Sequence, residues 1–305
     1  MKISVVTLHP DPDPTIQEQW CFPDTEAGIL EAISKGATHI WANTVLFASH
    51  PLQTSPKLNE YASKIHIIGQ PPVLTEICDD KDYLNNFIRS KIDVPMPRSW
   101  LINETQDLKE FIRQNALPWP IVAKPVRGRA SQGVKVCGDE ESLFQHLREI
   151  FPNSPSVILE EFLGGEEATV AVMPPDIDHE DYWTLPPVIR YNHMDNVVPY
   201  TGDVLATSNS RAVTAKDMKL PKGHGYLKVS DDCKKVAKLL EVSSLIRIDV
   251  RRYSTDTRSE FALFDINMKP VSTHPTQTIS SSQDSSESPE VFLIIKTGYN
   301  NQEAS

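Results

Sequence analysis

Two short runs, Arg247-Ile248-Asp249 and Phe264-Asp265-Ile266-Asn267, carry the residue types that a hard divalent cation and a phosphate would need. Both lie in apolar stretches of strand character, Leu245 to Val250 and Glu260 to Ile266. Side chains alternate between the faces of a strand, so Arg247 and Asp249 share one face while Ile248 and Val250 turn to the core, and Asp265 shares a face with Asn267. If the two strands are neighbours, four polar groups meet. Magnesium takes hard oxygen ligands, one or two carboxylates plus substrate phosphates, and Asp249, Asp265 and the Asn267 amide oxygen match that demand, with Arg247 balancing phosphate charge. The alternative is a structural salt bridge of Arg247 with both aspartates, which has no need of an amide on the same face.

A second constellation begins at Ile121-Val122-Ala123-Lys124-Pro125 and runs through Val126-Arg127-Gly128-Arg129-Ala130-Ser131-Gln132-Gly133. Lys124 ends a buried strand, and an ammonium there needs an anion. The loop after it offers arginines, a serine and glycines that let backbone amides approach a phosphate. A surface turn with solvated arginines remains the other reading. The order of glycines and lysine matches neither the P-loop nor the dinucleotide fingerprint. A third segment, Glu160 to Glu167, joins two apolar strands and could seat a purine. Glu160 would accept from its exocyclic amine, the backbone of Glu161, Phe162 and Leu163 would pair with the base edge, and Glu167 would hold ribose. An exposed acidic hairpin is the alternative.

The elements that must position these groups follow from periodicity. Strands are expected at Lys2 to Leu8, Thr38 to Ala42 and Ile65 to Gly69, with a helix from Asp24 to Lys35 and another from Thr75 to Lys91 bearing Tyr83, Leu84, Phe87 and Ile88 as its apolar stripe. Asp93 to Pro97 reads as a linker. Beyond it come strand Ser99 to Ile102, helix Glu104 to Gln114, strand Ile121 to Pro125, strand Val134 to Cys137, helix Asp139 to Ile150, and strands Val157 to Phe162, Ala168 to Met173 and Val188 to Tyr191. An irregular region reaches Ser230 before a helix from Asp231 to Leu240. Within it, the polar and aromatic loop from Pro186 to Arg211 suggests substrate contacts or an ordinary surface excursion. Ser280 to Ser288 reads as a mobile linker, and Val291 to Ile295 as a strand, a helix or a truncated end.

With 305 residues, 39% hydrophobic and 23% charged, the chain is long enough for two or three domains. A net charge of −11 argues against a general nucleic-acid binder. The cysteines Cys21, Cys78, Cys137 and Cys233 lack paired spacing, which fits a reduced, cytoplasmic setting, and the nine histidines show no ligand spacing. Neither a signal peptide nor an apolar run of roughly twenty residues is expected.

The order of Asp80-Lys81, Lys124-Pro125 with its glycine loop, Glu160 to Glu167, Arg247-Ile248-Asp249 and Asp265-Ile266-Asn267 resembles the ATP-grasp superfamily, and within it the D-alanine-D-alanine ligases and related carboxylate-amine ligases. The resemblance covers residues 1 to about 270. It implies a three-domain α/β (α+β) ATP-grasp fold with a Rossmann-like N-terminal domain and ATP held between the central and C-terminal domains. The expected divisions are 1–92, 93–163, 164–279 and a polar linker and tail at 280–305. Lys81 and Lys124 resemble the family's phosphate-binding lysines, Ser131 and Gly133 its phosphate loop, and Glu160, Glu161, Phe162, Leu163 and Glu167 its adenine and ribose contacts. Arg247, with Lys124, resembles the catalytic cations at the reacting phosphoryl group, and Asp249, Asp265 and Asn267 the magnesium ligands. The implied cofactors are ATP and Mg2+. The implied partners are a small carboxylic acid and an amine, with no nucleic acid or membrane, and with a homodimer as an assembly the family allows.

The sequence departs from the family at four places, one of them Ser280 to Ser305, which does not resemble the family's C-terminal helices; the other three precede it. Asp265 stands where glutamate is common, Met268-Lys269-Pro270-Val271 replaces a proline-glycine, and the active-site loop lysine has no counterpart, leaving Arg190 and Arg211 as the substrate-facing cations. These departures keep open an ATP-binding module that works by regulation. A dinucleotide-dependent enzyme is a weaker alternative, since His9-Pro10-Asp11-Pro12 stands where its glycine fingerprint would be.

Overall fold

The computed structural model describes residues 3–13, 16, 19–42, 45–128, 131–193, 209–220, 222–268 and 290–296. Arg129 and Ala130 of the phosphate loop, the stretch 194–208 of the polar loop, Met268's successors 269–271 and the linker 280–288 fall wholly or partly outside them. The chain divides into two compact units, one of residues 1–76 with 269–305 and one of residues 77–268. The Asp93 to Pro97 segment lies inside the second.

The first unit contains β1 (Ile3–Val5), β2 (Phe22–Pro23), α1 (Glu26–Ser34), β3 (His39–Ala42), α2 (Pro51–Thr54), α3 (Pro56–Asn59) and β4 (His66–Ile68); α4 (Pro72–Cys78) runs across the division. Thr25 caps α1 by accepting from the Gly28 amide. Phe22, Ile29, Ala32, Ile40, Leu58 and Ile65 form its core.

In the second unit follow α5 (Lys81–Lys91), β5 (Ser99–Asn103), α6 (Leu108–Asn115), β6 (Ile121–Pro125), β7 (Lys135–Cys137), α7 (Glu140–Ile150), β8 (Ser156–Glu161), β9 (Glu167–Met173), β10 (Trp183–Thr184), β11 (Val188–Arg190), β12 (Ser210–Ala212), α8 (Ala215–Met218), α9 (Gly223–Leu239), β13 (Ile246–Arg252) and β14 (Phe261–Asn267). The last strand, β15 (Glu290–Lys296), returns to the first unit, where it joins a parallel sheet of order β1-β15-β3-β4, with β2 also pairing β15. The apolar run after Val291 is therefore a strand. The second unit has two sheets, β5-β8-β6-β7 and β12-β11-β9-β13-β14, the latter with β10 attached to β9.

Several boundaries differ from the periodicity reading, each for a local reason. The expected helix from Thr75 to Lys91 is two helices, because the Asp80 carboxylate accepts from the Tyr83 amide at 2.9 Å and starts α5 afresh. That helix buries Leu84, Asn85 and Ile88 and leaves Tyr83 exposed. Likewise α6 begins after Asp107, which caps the Glu110 amide at 3.1 Å, rather than at Glu104. The largest difference is α9, which starts at Gly223 instead of Asp231. Gly223 and Gly225 carry poor helix propensity, yet packing requires both. A Cβ on Gly223 would lie 2.2 Å from the Met218 carbonyl oxygen, and one on Gly225 2.9 Å from the Arg252 guanidinium.

The turn from β8 to β9 is fixed against the β13–β14 hairpin, with Gly164 N–H donating to Tyr253 O at 3.2 Å and Gly165 N–H to Arg252 O at 3.0 Å. A Cβ on Gly165 would meet the Ser254 carbonyl oxygen at 2.1 Å. Gly165→Ala is therefore expected to cost about 1–3 kcal/mol, as overpacking does. Urea unfolding should show a lower midpoint with an unchanged slope, and a wild-type midpoint would contradict this packing.

Candidate active site

Strands β11, β9, β13 and β14 run antiparallel to their neighbours, and their register collects polar side chains on one face in rows. Arg190, Glu167 and Arg251 form the first row, Thr169, Asp249 and Asp265 the second, and Arg247 with Asn267 the third. The opposite face carries Val170, Val172, Ile246, Ile248 and Val250, all fully buried, and α9 packs against this sheet. The alternation expected from the sequence thus holds, with Arg247 paired to Asn267 and Asp249 to Asp265.

Asn267 Nδ2 donates to Asp249 Oδ2 at 3.3 Å and to Asp265 Oδ2 at 3.1 Å, and Arg247 Nη2 donates to Asp249 Oδ2 at 3.2 Å. Asp249 is 4% exposed. Its Oδ1 lies 3.1 Å from Arg247 Nε and 3.4 Å from Arg190 Nη2, close enough for charge attraction. Neither Asp249 Oδ1 nor Arg247 Nε makes a hydrogen bond at those angles, and the neighbouring Thr169 Oγ1 likewise has no hydrogen-bond partner. The two guanidinium charges beside Oδ1 offset the cost of its missing hydrogen bond, so the corner that suits a cation is the Oδ2 side, where Asp249, Asp265 and Asn267 converge. Two carboxylates and an amide suit a hard divalent ion; the amide offers oxygen when turned by half a rotation, because its O and N are assigned rather than observed. Among the described residues, no group of three His, Cys, Asp or Glu side chains could hold a metal.

Glu167 is the most crowded anion of the face. Its Oε1 accepts from Arg190 Nη1 at 3.5 Å, and its Oε2 lies 2.9 Å from His193 Nε2 and 3.9 Å from Arg251 Nη1. Burial draws the Arg251 pKa down, with Glu167 opposing the shift. Arg251 also donates to Gly165 O at 3.1 Å and lies 5.2 Å over the Phe162 ring.

Lys124 finds its anion inside the chain. Its Nζ is 2.8 Å from Glu160 Oε2, with both residues almost wholly buried, and it donates to the Phe264 carbonyl oxygen at 2.9 Å. That carbonyl precedes Asp265, so Lys124 brings β6 to the metal-ligand candidates. An ammonium has three N–H groups, and these contacts use two. Glu160 Oε1 accepts from Asn85 Nδ2 at 3.2 Å, so both oxygens of the expected adenine acceptor already have protein partners. Glu161 binds Arg98 through its side chain at 3.1 Å and donates its N–H to Arg98 O at 2.9 Å. Phe162 and Leu163 follow just past the end of β8.

On the phosphate loop, Lys81 Nζ donates to Gly128 O at 2.8 Å and its amide to Val126 O at 3.1 Å. Ser131 and Gly133 adopt φ of 57° and 71°, and buried His146 holds Gly133 O at 2.9 Å from Nε2. The structure does not bring Arg211 to the polar face. It pairs with Ile189, one residue out of phase with Arg190, and its guanidinium binds Asp217 at 2.9 and 3.1 Å. Burial pushes the Cys78 thiol up to about 12 and the Cys233 thiol well above its usual value, which argues against thiolate chemistry at either.

Asn85, Arg98, Thr169 and Arg251 are not among the residues that the sequence singles out. Strand parity with Glu167 and Asp249 could have found Thr169 and Arg251. Asn85 is a polar residue on the Leu84–Ile88 stripe, and His193 lies in the polar loop from Pro186 to Arg211 to which substrate contacts are assigned.

A family model described as D-ala D-ala ligase C-terminus matches residues 94–285. The D-alanine--D-alanine ligase of Thermotoga maritima is 33% identical over 110 residues, 36% of this chain and 33% of the relative. The chain thus matches about a third of the length of such curated relatives. The crystal structure of D-alanine--D-alanine ligase from Bacillus anthracis complexed with ATP superposes with a TM-score of 0.55 at 19% identity, covering 78% of this chain and 70% of that one. D-alanyl-alanine synthetase A from Vibrio cholerae gives 0.59 at 16%, covering 78% and 69%. At such identities the superpositions establish the fold alone.

Two stability outcomes follow. Lys124→Met strands the buried Glu160 charge and is expected to cost about 3–5 kcal/mol, partly restored by Glu160→Gln in the same chain. Urea unfolding of the single and double variants checks this, and equal midpoints for wild type and Lys124→Met would refute the pairing. The Arg211 guanidinium, with Thr214, holds the Asp217 carboxyl well below the usual range. A pKa depressed in the folded state contributes stability above the unfolded value of about 3.9, and that contribution is lost as pH falls toward the folded value. Asp217→Asn should therefore be less stable than wild type at neutral pH, with the gap narrowing in melts below about pH 4.

Proposed function

We propose, from the premise that this chain belongs to the D-ala D-ala ligase C-terminus family and has the ATP-grasp fold, that it is an ATP- and magnesium-dependent ligase. It activates a small carboxylic acid, an amino acid, as an acyl phosphate and joins it to an amine, releasing ADP and phosphate. The observation that carries this reading is the polar face of Arg247, Asp249, Asp265 and Asn267 with Lys124 delivered to it through the Phe264 carbonyl. A salt bridge of Arg247 with Asp249 is present, but it does not account for the Asn267 amide that converges with Oδ2 of both aspartates on the same face.

In this reading Lys124 and Lys81 contact the phosphates, and the loop at Ser131 and Gly133 turns its amides toward them. Phe162 and Leu163 line the base, Glu160 and Glu161 border it, and Glu167 accepts from the ribose hydroxyls. Asp249, Asp265 and the Asn267 amide oxygen would hold magnesium, which supplies charge neutralisation at the β- and γ-phosphates. Arg247 stabilises the phosphoryl group in transfer, where catalysis is positioning plus fixed charge. The substrate carboxylate attacks the γ-phosphate with ADP leaving, and the amine then displaces phosphate from the acyl phosphate. Arg190 lies on the same face and is retained among the substrate-side cations, whereas Arg211 has no part in this arrangement.

The two sheets of the second unit correspond in this proposal to the central and C-terminal subdomains, 93–163 and 164–279, with the nucleotide between them. Residues 1–92 correspond to the N-terminal domain, and of the expected linker and tail at 280–305 the part 290–296 is instead strand β15 in the first unit's sheet. Small-molecule partners, a cytoplasmic location and a homodimer complete the reading. Among the described residues no helix is long and apolar enough to cross a membrane.

Incubation with magnesium, ATP and an amino-acid pool in hydroxylamine should yield a hydroxamate together with ADP and phosphate. Asp265→Asn should cut turnover by about 100-fold or more while changing nucleotide affinity far less, as loss of a transition-state charge partner does. ATP binding with no hydroxamate from any carboxylate would instead support the regulatory module.

A further inference from the structure

Among the buried side chains of the second unit, His146 is a titratable group that the proposed chemistry does not use. It stands on α7 in the row Leu143, His146, Leu147 and Ile150, whose other members fill the core. Its side chain is 8% exposed. The Nε2 atom lies 2.9 Å from the Gly133 carbonyl oxygen, and since a carbonyl only accepts, Nε2 carries the proton and donates. Nδ1 makes no hydrogen bond, and the Glu149 carboxylate stands 4.0 Å from it. A leucine would fill this place with no buried polar atom left over. What explains the imidazole is the group that Nε2 holds.

Gly133 is the third residue of a tight turn in which the Val134 N–H donates to the Ser131 carbonyl oxygen at 3.1 Å. Its φ of 71° is what a type II turn asks of that position and what glycine supplies without strain. A peptide unit is planar and trans, so its C=O and N–H point opposite ways. The unit joining Gly133 to Val134 is therefore fixed on both sides, by His146 through its oxygen and by Ser131 through its nitrogen. Ser131 has a φ of 57°, in the left-handed region that a residue with a Cβ disfavours, and such a conformation persists where its surroundings over-determine it. Ile150, one turn along α7 from His146, packs on the same glycine, where an added Cβ would meet its Cδ1 at 2.9 Å.

We propose that His146 is a positioning residue for the nucleotide, holding the turn from Ser131 to Gly133 in the shape that presents its amides to the phosphates. It acts through the Gly133 carbonyl and touches no phosphate itself. This rests on the nucleotide reading above and adds to it the side chain that shapes the phosphate loop. Lys81 of α5 holds the other limb of that loop through the Gly128 carbonyl. A carbonyl engaged by a protein donor is not free to turn toward a polyanion, which it would repel. Two helices thus grip the loop by its oxygens.

The test compares the full chain as wild type, His146→Leu and His146→Gln. Equilibrium dialysis with Mg2+ and a nonhydrolysable ATP analogue measures affinity, and nuclear magnetic resonance follows hydrogen exchange of the Val134 amide without nucleotide. His146→Leu should bind the analogue about tenfold more weakly, as when a partly buried carbonyl forfeits its donor, and should speed Val134 exchange. His146→Gln, which keeps an N–H donor on its side chain, should recover most of both. Melting curves establish that each variant is folded at the dialysis temperature, and His146→Met replaces His146→Leu if the latter does not fold. Wild-type affinity in the variant without a donor, or no recovery in His146→Gln, overturns the proposal while leaving the nucleotide reading intact. Faster exchange without loss of affinity also overturns it, by making the contact structural alone. Failure of wild type to retain the analogue overturns both.

Discussion

The buried contact of Lys124 with Glu160 and the Phe264 carbonyl is the constraint on which the rest of the second unit's site depends. Lys124 belongs to β6 in one sheet, and Phe264 to β14 in the other. Removing both charges from water is expensive, and attraction offsets that cost only when remaining donors and acceptors are satisfied. Asn85 takes up the second Glu160 oxygen and the Phe264 carbonyl a second Lys124 N–H, which leaves one N–H of the ammonium over. The same atoms that complete the pair also fix the distance between the sheets at the point where Asp265 and Asn267 leave β14. A hydrophobic pair could fill that space, but it would bring no charge to the carboxylates.

Strand alternation does the remaining positioning. On β13, Arg247, Asp249 and Arg251 turn to the polar face while Ile246, Ile248 and Val250 are buried under α9, and a register irregularity falls after Asp249. That irregularity lets Asp265 stay opposite Asp249 while Leu263 stays opposite Val250. Apolar burial on one face therefore sets the spacing of charges on the other, since a slip by one residue would exchange the two sets.

Much of this face was legible because alternation is a property of sequence alone: Arg247, Asp249, Asp265 and Asn267 could be assigned to one surface before their strands were known to be neighbours. The partner of Lys124 was not, because Lys124 and Glu160 were each referred to a ligand and their contact spans two strands. Helix starts depart from periodicity where a capping side chain decides them, as at Asp80 and Asp107. At Gly223 and Gly225, propensity and packing disagree, and packing prevails. Arg211 was grouped with Arg190 by proximity in a loop, whereas the pairing of β11 with β12 sets them one residue out of phase.

Consecutive residues Glu166 and Glu167 show how tightly the turn before β9 is specified. Glu167 faces Arg190, Arg251 and His193, whereas Glu166 accepts from the Tyr226 hydroxyl and lies near Lys222 and Arg252. Arg252 is itself held by the carbonyls of Ser259 and Lys222 and stacks over Phe261 at 4.0 Å. Desolvation and the Glu166 hydrogen bond together raise the Tyr226 pKa, so the hydroxyl stays protonated and donates at neutral pH. Two adjacent carboxylates are thus claimed by separate cation sets on opposite sides of the sheet. A one-residue slip would place each among the other's partners, and one that put Glu166 at the position of Gly165 would bring its Cβ to 2.1 Å from the Ser254 carbonyl oxygen, so the orientation of Glu167 is set by packing as well as by the arginines in front of it.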